Sequence, residues 1–172
     1  MACRNPSPLF TKVKKDWEII GDAHWAFEDE ELRGATEDGT GFVMTSQTYD
    51  NFTLELEFNA DSTINSGVFI RCSSSDINPT DCYELNIWDL HPNQDFRTGA
   101  LITKTKPLAY VETINKWNTY KIKAENSHLQ VWINDIMTVD TTDEELTTGH
   151  IALQANGTGV VKFRNVTITD IN

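Results

Sequence analysis

Positive charge, cysteine and helix-like periodicity are all scarce in this chain, and each scarcity excludes something. Lysine and arginine number 14 against 26 aspartates and glutamates, a net charge of −12 at pH 7. Such a balance excludes nucleic acid, whose phosphates need cationic partners, and an anionic membrane surface. It suits a neutral or cationic ligand. The 3 cysteines and 4 histidines are scattered and show no zinc-ligand spacing. Glycine-rich phosphate loops and a nucleophile elbow are missing too. Runs of about 18 apolar residues, the length needed to span a bilayer as a helix, do not occur. Nor does a convincing amphipathic helix, an internal repeat or an interdomain linker.

What is present is a chain of 172 residues with 39% hydrophobic content, enough for one self-sufficient core. Residues 1–9 read as a flexible leader. The start, Met1-Ala2-Cys3-Arg4-Asn5-Pro6-Ser7-Pro8, resembles a mature bacterial lipoprotein, with Cys3 as the anchor point. This implies an exported chain, periplasmic or lipid-anchored in a bacterial cell envelope; the plainer reading is a chance cysteine. Residues 10–172 read as one domain.

Short alternating segments follow one another with turn residues about every 8–12 positions. Asp16–Ile20 and His24–Glu28 read as strands, Gly39-Thr40-Gly41 as a turn, and Phe42–Thr45 as the next strand. In Phe52–Phe58 the aromatic and leucine positions point inward, leaving Thr53, Glu55 and Glu57 on the far face. Trp117–Ala124, Leu129–Ile133 and Ile136–Asp140 form a meander, and Thr142–Leu146 can make one helical turn. About a dozen strands of this kind predict an all-β, two-sheet antiparallel sandwich.

The most informative stretch is Asn65-Ser66-Gly67-Val68-Phe69-Ile70-Arg71, followed by Tyr83-Glu84-Leu85-Asn86-Ile87-Trp88-Asp89. Both halves have strand period. Tyr83, Leu85 and Ile87 point one way; Glu84, Asn86 and Trp88 point the other. A carboxylate, an amide and an indole on one face suit a sugar, which needs hydrogen bonds to its hydroxyls and an aromatic plate for its C–H face. A hairpin with a merely solvated polar face is the plain alternative. Strand parity places Glu55, Glu57, Phe69, Arg71, Glu84, Asn86 and Trp88 together. Cys72 and Cys82 flank the intervening loop and can bond in an oxidising compartment, although alternation puts them on opposite faces unless the loop shifts phase. Asp76, Asn78 and Asp81 read as solvated turn residues rather than a metal site. The long loop from Leu90 to Lys106 carries His91 and has the length of a functional loop.

Taken in order, Asp16-Trp17-Glu18, Gly41-Phe42-Val43, Tyr49-Asp50-Asn51-Phe52-Thr53-Leu54, the two central segments, Thr98-Gly99-Ala100, Trp117-Asn118-Thr119-Tyr120, the Asn134-Asp135 hairpin and Phe163-Arg164-Asn165-Val166 resemble the 3-keto-disaccharide hydrolase domains. The resemblance runs from about Phe10 to Ile171 and implies the concanavalin A-like lectin/glucanase jelly roll, with a saccharide site on the concave face of one sheet. Carried over by position, the family's hallmark residues fall on Arg71, Glu84, Asn86, Asp89, Thr98 and Gly99. Two departures stand out. Asn86 replaces the usual glutamine, and Asn156 occupies the position of a histidine that many members carry.

The resemblance implies a glycosidase-type reaction in which a 3-keto group acidifies the C2 proton of the sugar. That chemistry calls for a base, an enolate-stabilising group and a leaving-group acid. Glu84 is the expected base, with Glu57 next, and Arg71 the expected stabiliser. Glu55, Phe69, Asn86, Trp88, Asp89, His91, Thr98 and Gly99 are the expected substrate contacts. No cofactor and no metal are called for. The missing histidine keeps a second reading open, a non-catalytic carbohydrate-binding module on the same sandwich.

Overall fold

The computed structural model describes residues 5–12 and 15–171. Among them, 11 strands form one continuous antiparallel sheet that folds over into two layers. The strands are β1 (Ser7–Pro8), β2 (Trp17–Gly21), β3 (His24–Glu28), β4 (Glu31–Thr45), β5 (Phe52–Ala60), β6 (Ile64–Cys72), β7 (Tyr83–Ile87), β8 (Asn118–Glu125), β9 (His128–Ile133), β10 (Ile136–Thr142) and β11 (His150–Asp170). Among the described residues no helix is long and apolar enough to cross a membrane.

Two long strands belong to both layers. The first half of β11 lies between β6 and the second half of β4, so the first layer runs β2-β4-β11-β6-β7. The second half of β11 lies between β5 and the first half of β4, so the second layer runs β10-β9-β8-β5-β11-β4-β3. The crossover coincides with a register shift between Gly157 and Thr158, opposite Asp38 with its left-handed φ of 77°. Hence Gly39-Thr40-Gly41 is a bend within β4, not the turn that the sequence predicts. The glycines reverse no chain direction; they let the paired strands of the ladder bend together.

The core lies between the layers. Phe52, Leu54, Leu56 and Phe58 from β5 meet Val68, Ile70, Tyr83, Leu85 and Ile87 from β6 and β7. Each such side chain contributes about 1.5–3 kcal/mol when fully buried. The period-2 pattern of both segments is thus the pattern of a sheet with one face on the core, and the antiparallel sandwich read from the sequence is the fold observed.

Other expectations are corrected. Ser7, Pro8 and Leu9, expected in a flexible leader, join the sheet: Ser7 and Pro8 pair with Ile168 and Thr167, the Leu9 amide donates to Val166 O at 2.8 Å, and Phe10 is buried. Cys3, the expected anchor point, lies outside the described residues. Thr142–Leu146 is not helical, because the Leu146 amide donates to the Tyr83 hydroxyl at 3.0 Å instead of to its own turn. The one helical turn described is a 3-10 turn at Gln94–Phe96, capped by the Asn93 side chain. The long loop after β7 lies along that strand's free edge. Asn86 N donates to Ala100 O, Gly99 N to Asn86 O and Ile102 N to Glu84 O, which satisfies backbone groups that a bare edge would leave open.

A bulge at Arg71 resolves the question of Cys72 and Cys82. Arg71 has a left-handed φ of 54°, and the β6–β11 register slips between His150 and Ala152. One extra residue reverses the parity of everything after it. Cys72 is carried to the outer face beside Phe69, meets Cys82 there, and the two form a disulfide.

Candidate functional site

The strand register of the first layer brings its outward side chains into cross-strand rows. Glu18, Met44, Ala152, Phe69 and Glu84 form one row. Ile20, Phe42, Gln154, Gly67 and Asn86 form the next, and Thr40, Asn156 and Asn65 a third. Part of this face is apolar: Phe42, Met44, Phe69, Ala152, Cys72 and Cys82 pack together beneath Ile77 of the disulfide loop. Phe42 and Phe69 meet edge to face at 5.4 Å.

The rest of the face is polar and closely packed at Gly67, where a Cβ would sit 3.3 Å from the Phe69 ring and 3.6 Å from Glu84 Cγ. Around this glycine stand Glu84 on β7, Asn65 on β6 and Gln154 on β11. Burial alone pushes the Glu84 carboxyl up to about 7 from 4.5. Its side chain has no hydrogen bond or ion pair among the described residues. The buried Oδ1 of Asn65 and the buried Oε1 of Gln154 also lack hydrogen-bond partners. Buried polar atoms are nearly always satisfied in folded proteins, so these two beside the unpaired Glu84 carboxyl mark a place built for a partner. No lysine or arginine lies in the three rows.

Most of the expected site residues are placed elsewhere. Glu55 and Glu57 face outward, but from the second layer, since β5 pairs with β8 and β11 rather than with β6. Glu57 is held by Arg164, with Nε at 3.0 Å and Nη2 at 3.2 Å, and the Arg164 guanidinium lies over the Trp117 ring at 4.0 Å. These donors hold the Glu57 carboxyl below its usual range, the reverse of a base poised near neutrality. Glu55 faces Lys121 at 3.7 Å in solvent. Parity separates inward from outward; it does not say which layer a strand joins.

Arg71 is not beside Glu84 either. The bulge turns its side chain off the outer face, and it is fully buried. There Nη1 donates to Leu146 O and Nη2 to Asp50 O, each at 2.9 Å, clamping the β10–β11 and β4–β5 connections together.

Four further residues are packed or hydrogen-bonded inside the fold. Asn86 lies on the face, but its amide donates to Phe96 O and its Oδ1 accepts from Ile87 N at 3.0 Å, so both ends are engaged. Asp89 accepts from Thr113 N at 2.6 Å and Thr113 Oγ1 at 2.8 Å, with Arg97 Nη2 at 3.9 Å. Thr98 is fully buried, and Gly99 packs so close to Thr138 that a Cβ would sit 3.0 Å from its side chain. Phe69 shares the face but lies in its floor, 2% exposed. Trp88 and His91 remain partly exposed just beyond β7, their rings 4.6 Å apart, with Phe96 against His91. A cleft of about 590 Å³ lies elsewhere, lined by Asp50, Asn51, Asn126 and Glu144. It holds none of the three unpartnered groups.

Sequence reasoning missed Gly67, Asn65 and Gln154 as site residues. All three stand inside motifs visible in the chain, but only the pairing of β11 with β6 sets Gln154 beside Gly67.

Known structures share this architecture. A protein of Parabacteroides distasonis provisionally described as a glycosyl hydrolase superposes with a TM-score of 0.83 at 24% identity, covering 98% of this chain and 100% of its own. A carbohydrate-binding module of Bacillus subtilis superposes with a TM-score of 0.71 at 21% identity, covering 90% of this chain and 96% of its own. A Bacillus subtilis protein with a galectin-like fold gives 0.66 at 14% identity, covering 99% and 96% respectively. At these identities the likeness establishes the fold. No curated protein matches the chain by sequence. The family itself is established by the chain's own sequence, which matches over residues 6–169, and the chain belongs to the 3-keto-alpha-glucoside-1,2-lyase-like domains.

Proposed function

We propose that the chain cleaves a neutral 3-keto-glycoside by elimination across C1–C2, with Glu84 as the base. The observation that carries this reading is the Glu84 carboxyl: buried on the outer face of the first layer, unpaired, and pushed up to about 7. A general base works best when its pKa lies near the operating pH. The 3-keto group makes the C2 proton acidic. Glu84 takes that proton, and the C–H electrons pass into the C3 carbonyl as an enolate. When the carbonyl re-forms, the C1–O bond breaks and the departing oxygen takes a proton. Addition of water to the resulting enone completes a net hydrolysis. The family's description as 1,2-lyase-like supports this chemistry. A face without lysine or arginine supports an uncharged substrate, since an anionic sugar would meet Glu84 without compensation. Partly exposed Trp88 supports stacking on a sugar ring at the edge of the site. The disulfide supports an oxidising, exported location.

A second reading, a binding module without turnover, is favoured by Asn156. Its Oδ1 accepts from Thr40 Oγ1 at 2.6 Å where many members carry a histidine, so that proton carrier is lost. The carbohydrate-binding module among the similar folds supports it as well.

The deciding experiment follows sugar release from a 3-keto-disaccharide and from its parent disaccharide. Wild type should turn over the keto form alone, with kcat rising through pH 7. Glu84→Gln should lower kcat by a factor on the order of 10² or more with binding retained. Binding by wild type without any release moves the chain to the binding-module class. Equal rates for wild type and Glu84→Gln remove Glu84 from the reaction.

A further inference from the structure

With Arg71 buried between two loops, elimination on this face lacks the cation expected to hold the enolate, and no other lysine or arginine lies in the three rows. The group must come from the face itself. We propose that Gln154 supplies it, donating from its side-chain amide to the C3 oxygen of the substrate while Glu84 works from β7, on the other side of β6. This inference rests on the elimination reading above.

Three observations carry it. First, position. β11 and β7 flank β6: Gln154 lies across Gly67 from Asn86, two strand spacings or about 9–10 Å away, and Glu84 stands one row further along β7 on the same outer face. A base approaching C2 from the β7 side leaves the adjacent C3 oxygen directed toward β11. Second, availability. Gln154 is 6% exposed, its Oε1 is buried without a partner, and its side chain makes no hydrogen bond among the described residues. A carboxamide has two donors and an acceptor, and here neither end is engaged. The contrast with Asn86 across the same row is direct, since both ends of that amide are engaged. Third, a fixed backbone. The Gln154 carbonyl accepts from Ser66 Oγ at 2.6 Å, and β11 is paired on both sides, so the side chain projects from a rigid strand. Preorganised donors of this kind stabilise charge that appears only in the transition state.

The step is balanced with no co-reactant. The proton leaves C2 for Glu84, the negative charge passes to the C3 oxygen and is held by the Gln154 N–H, and it returns to expel the C1 substituent. Asn65, with the same unmet capacity one row further along, is placed to hold a neighbouring hydroxyl of the same ring.

The test compares wild type, Gln154→Met and Gln154→Glu on a 3-keto-disaccharide. The readouts are kcat, KM, deuterium uptake at C2 from heavy water, and the melting temperature. Methionine keeps the volume and removes the donor. Its kcat and its C2 exchange should both fall about 10²-fold, the usual effect of losing one oxyanion donor. KM should change little, and the melting temperature should stay level or rise because an unsatisfied buried amide is gone. Glutamate keeps the shape but donates only when protonated, so its kcat relative to wild type should recover as the pH falls. Wild-type turnover that survives intact in Gln154→Met overturns this inference and leaves the elimination reading standing. Activity lost together with melting temperature, without recovery of Gln154→Glu in acid, assigns Gln154 a structural role and also overturns it. No turnover or C2 exchange by wild type overturns the elimination reading itself.

Discussion

Glu84 should leave a signature in folding stability that needs no substrate. Its carboxyl titrates near 4.5 in the unfolded chain and at about 7 in the folded one, because burial penalises the charged form. Below pH 4.5 the group is protonated in both states and has no effect. Between 4.5 and about 7 the unfolded chain ionises first, so stability drains as the pH rises. Above 7 both states are ionised and the deficit is constant. At 1.36 kcal/mol per pH unit of difference, that deficit is about 3 kcal/mol. Glu84 is 9% exposed, so little of this is lost to solvent screening. Glu84→Gln removes the ionisation and keeps the shape. Urea unfolding of both proteins from pH 4 to 8 should therefore give a stability difference that grows in favour of the variant by about 3 kcal/mol up to pH 7 and then levels off. Acid-sensitive carboxylates such as Glu57, Asp61 and Asp143 cancel, since both proteins contain them. A difference that does not vary with pH would refute the buried, unpaired carboxyl on which the site rests. A variant more stable but inactive is the pattern expected where burial of a charge serves chemistry rather than folding.

Two further outcomes separate structural from chemical roles. Arg71→Met should cost about 3 kcal/mol in urea unfolding, because the carbonyls of Asp50 and Leu146 lose a charged donor. Its kcat in folded protein should match wild type; a fall in kcat at full stability would return Arg71 to the site. Replacing both Cys72 and Cys82 by serine should cost about 3 kcal/mol, the chain-entropy value for a sequence separation of 10. A reductant should lower wild-type stability by the same amount and leave the variant unchanged, and an unchanged wild type would argue that the bond is absent.

Alternation in Phe52–Phe58 and Tyr83–Ile87, turn spacing and the lack of helical periodicity were enough to determine an antiparallel sandwich, because a sheet with one face on the core imposes period 2 wherever it occurs. Glu84 was legible for the same reason: a carboxylate on the outward side of a buried strand. Local pattern could not assign Glu55 and Glu57 to the second layer, because parity is a property of one strand and layer membership a property of pairing. Nor could it foresee that one left-handed residue, Arg71, would leave the face and carry Cys72 onto it; a bulge is set by the register of the partner strand β11. The loop residues Asp89 and Gly99 stand in a motif beside the site residues but are packed inside the fold, since their neighbours Thr113 and Thr138 are distant in sequence. Gln154 became visible as a site residue only when β11 was laid beside β6 across from Gly67, because an unsatisfied amide can be recognised only when all its possible partners are in place.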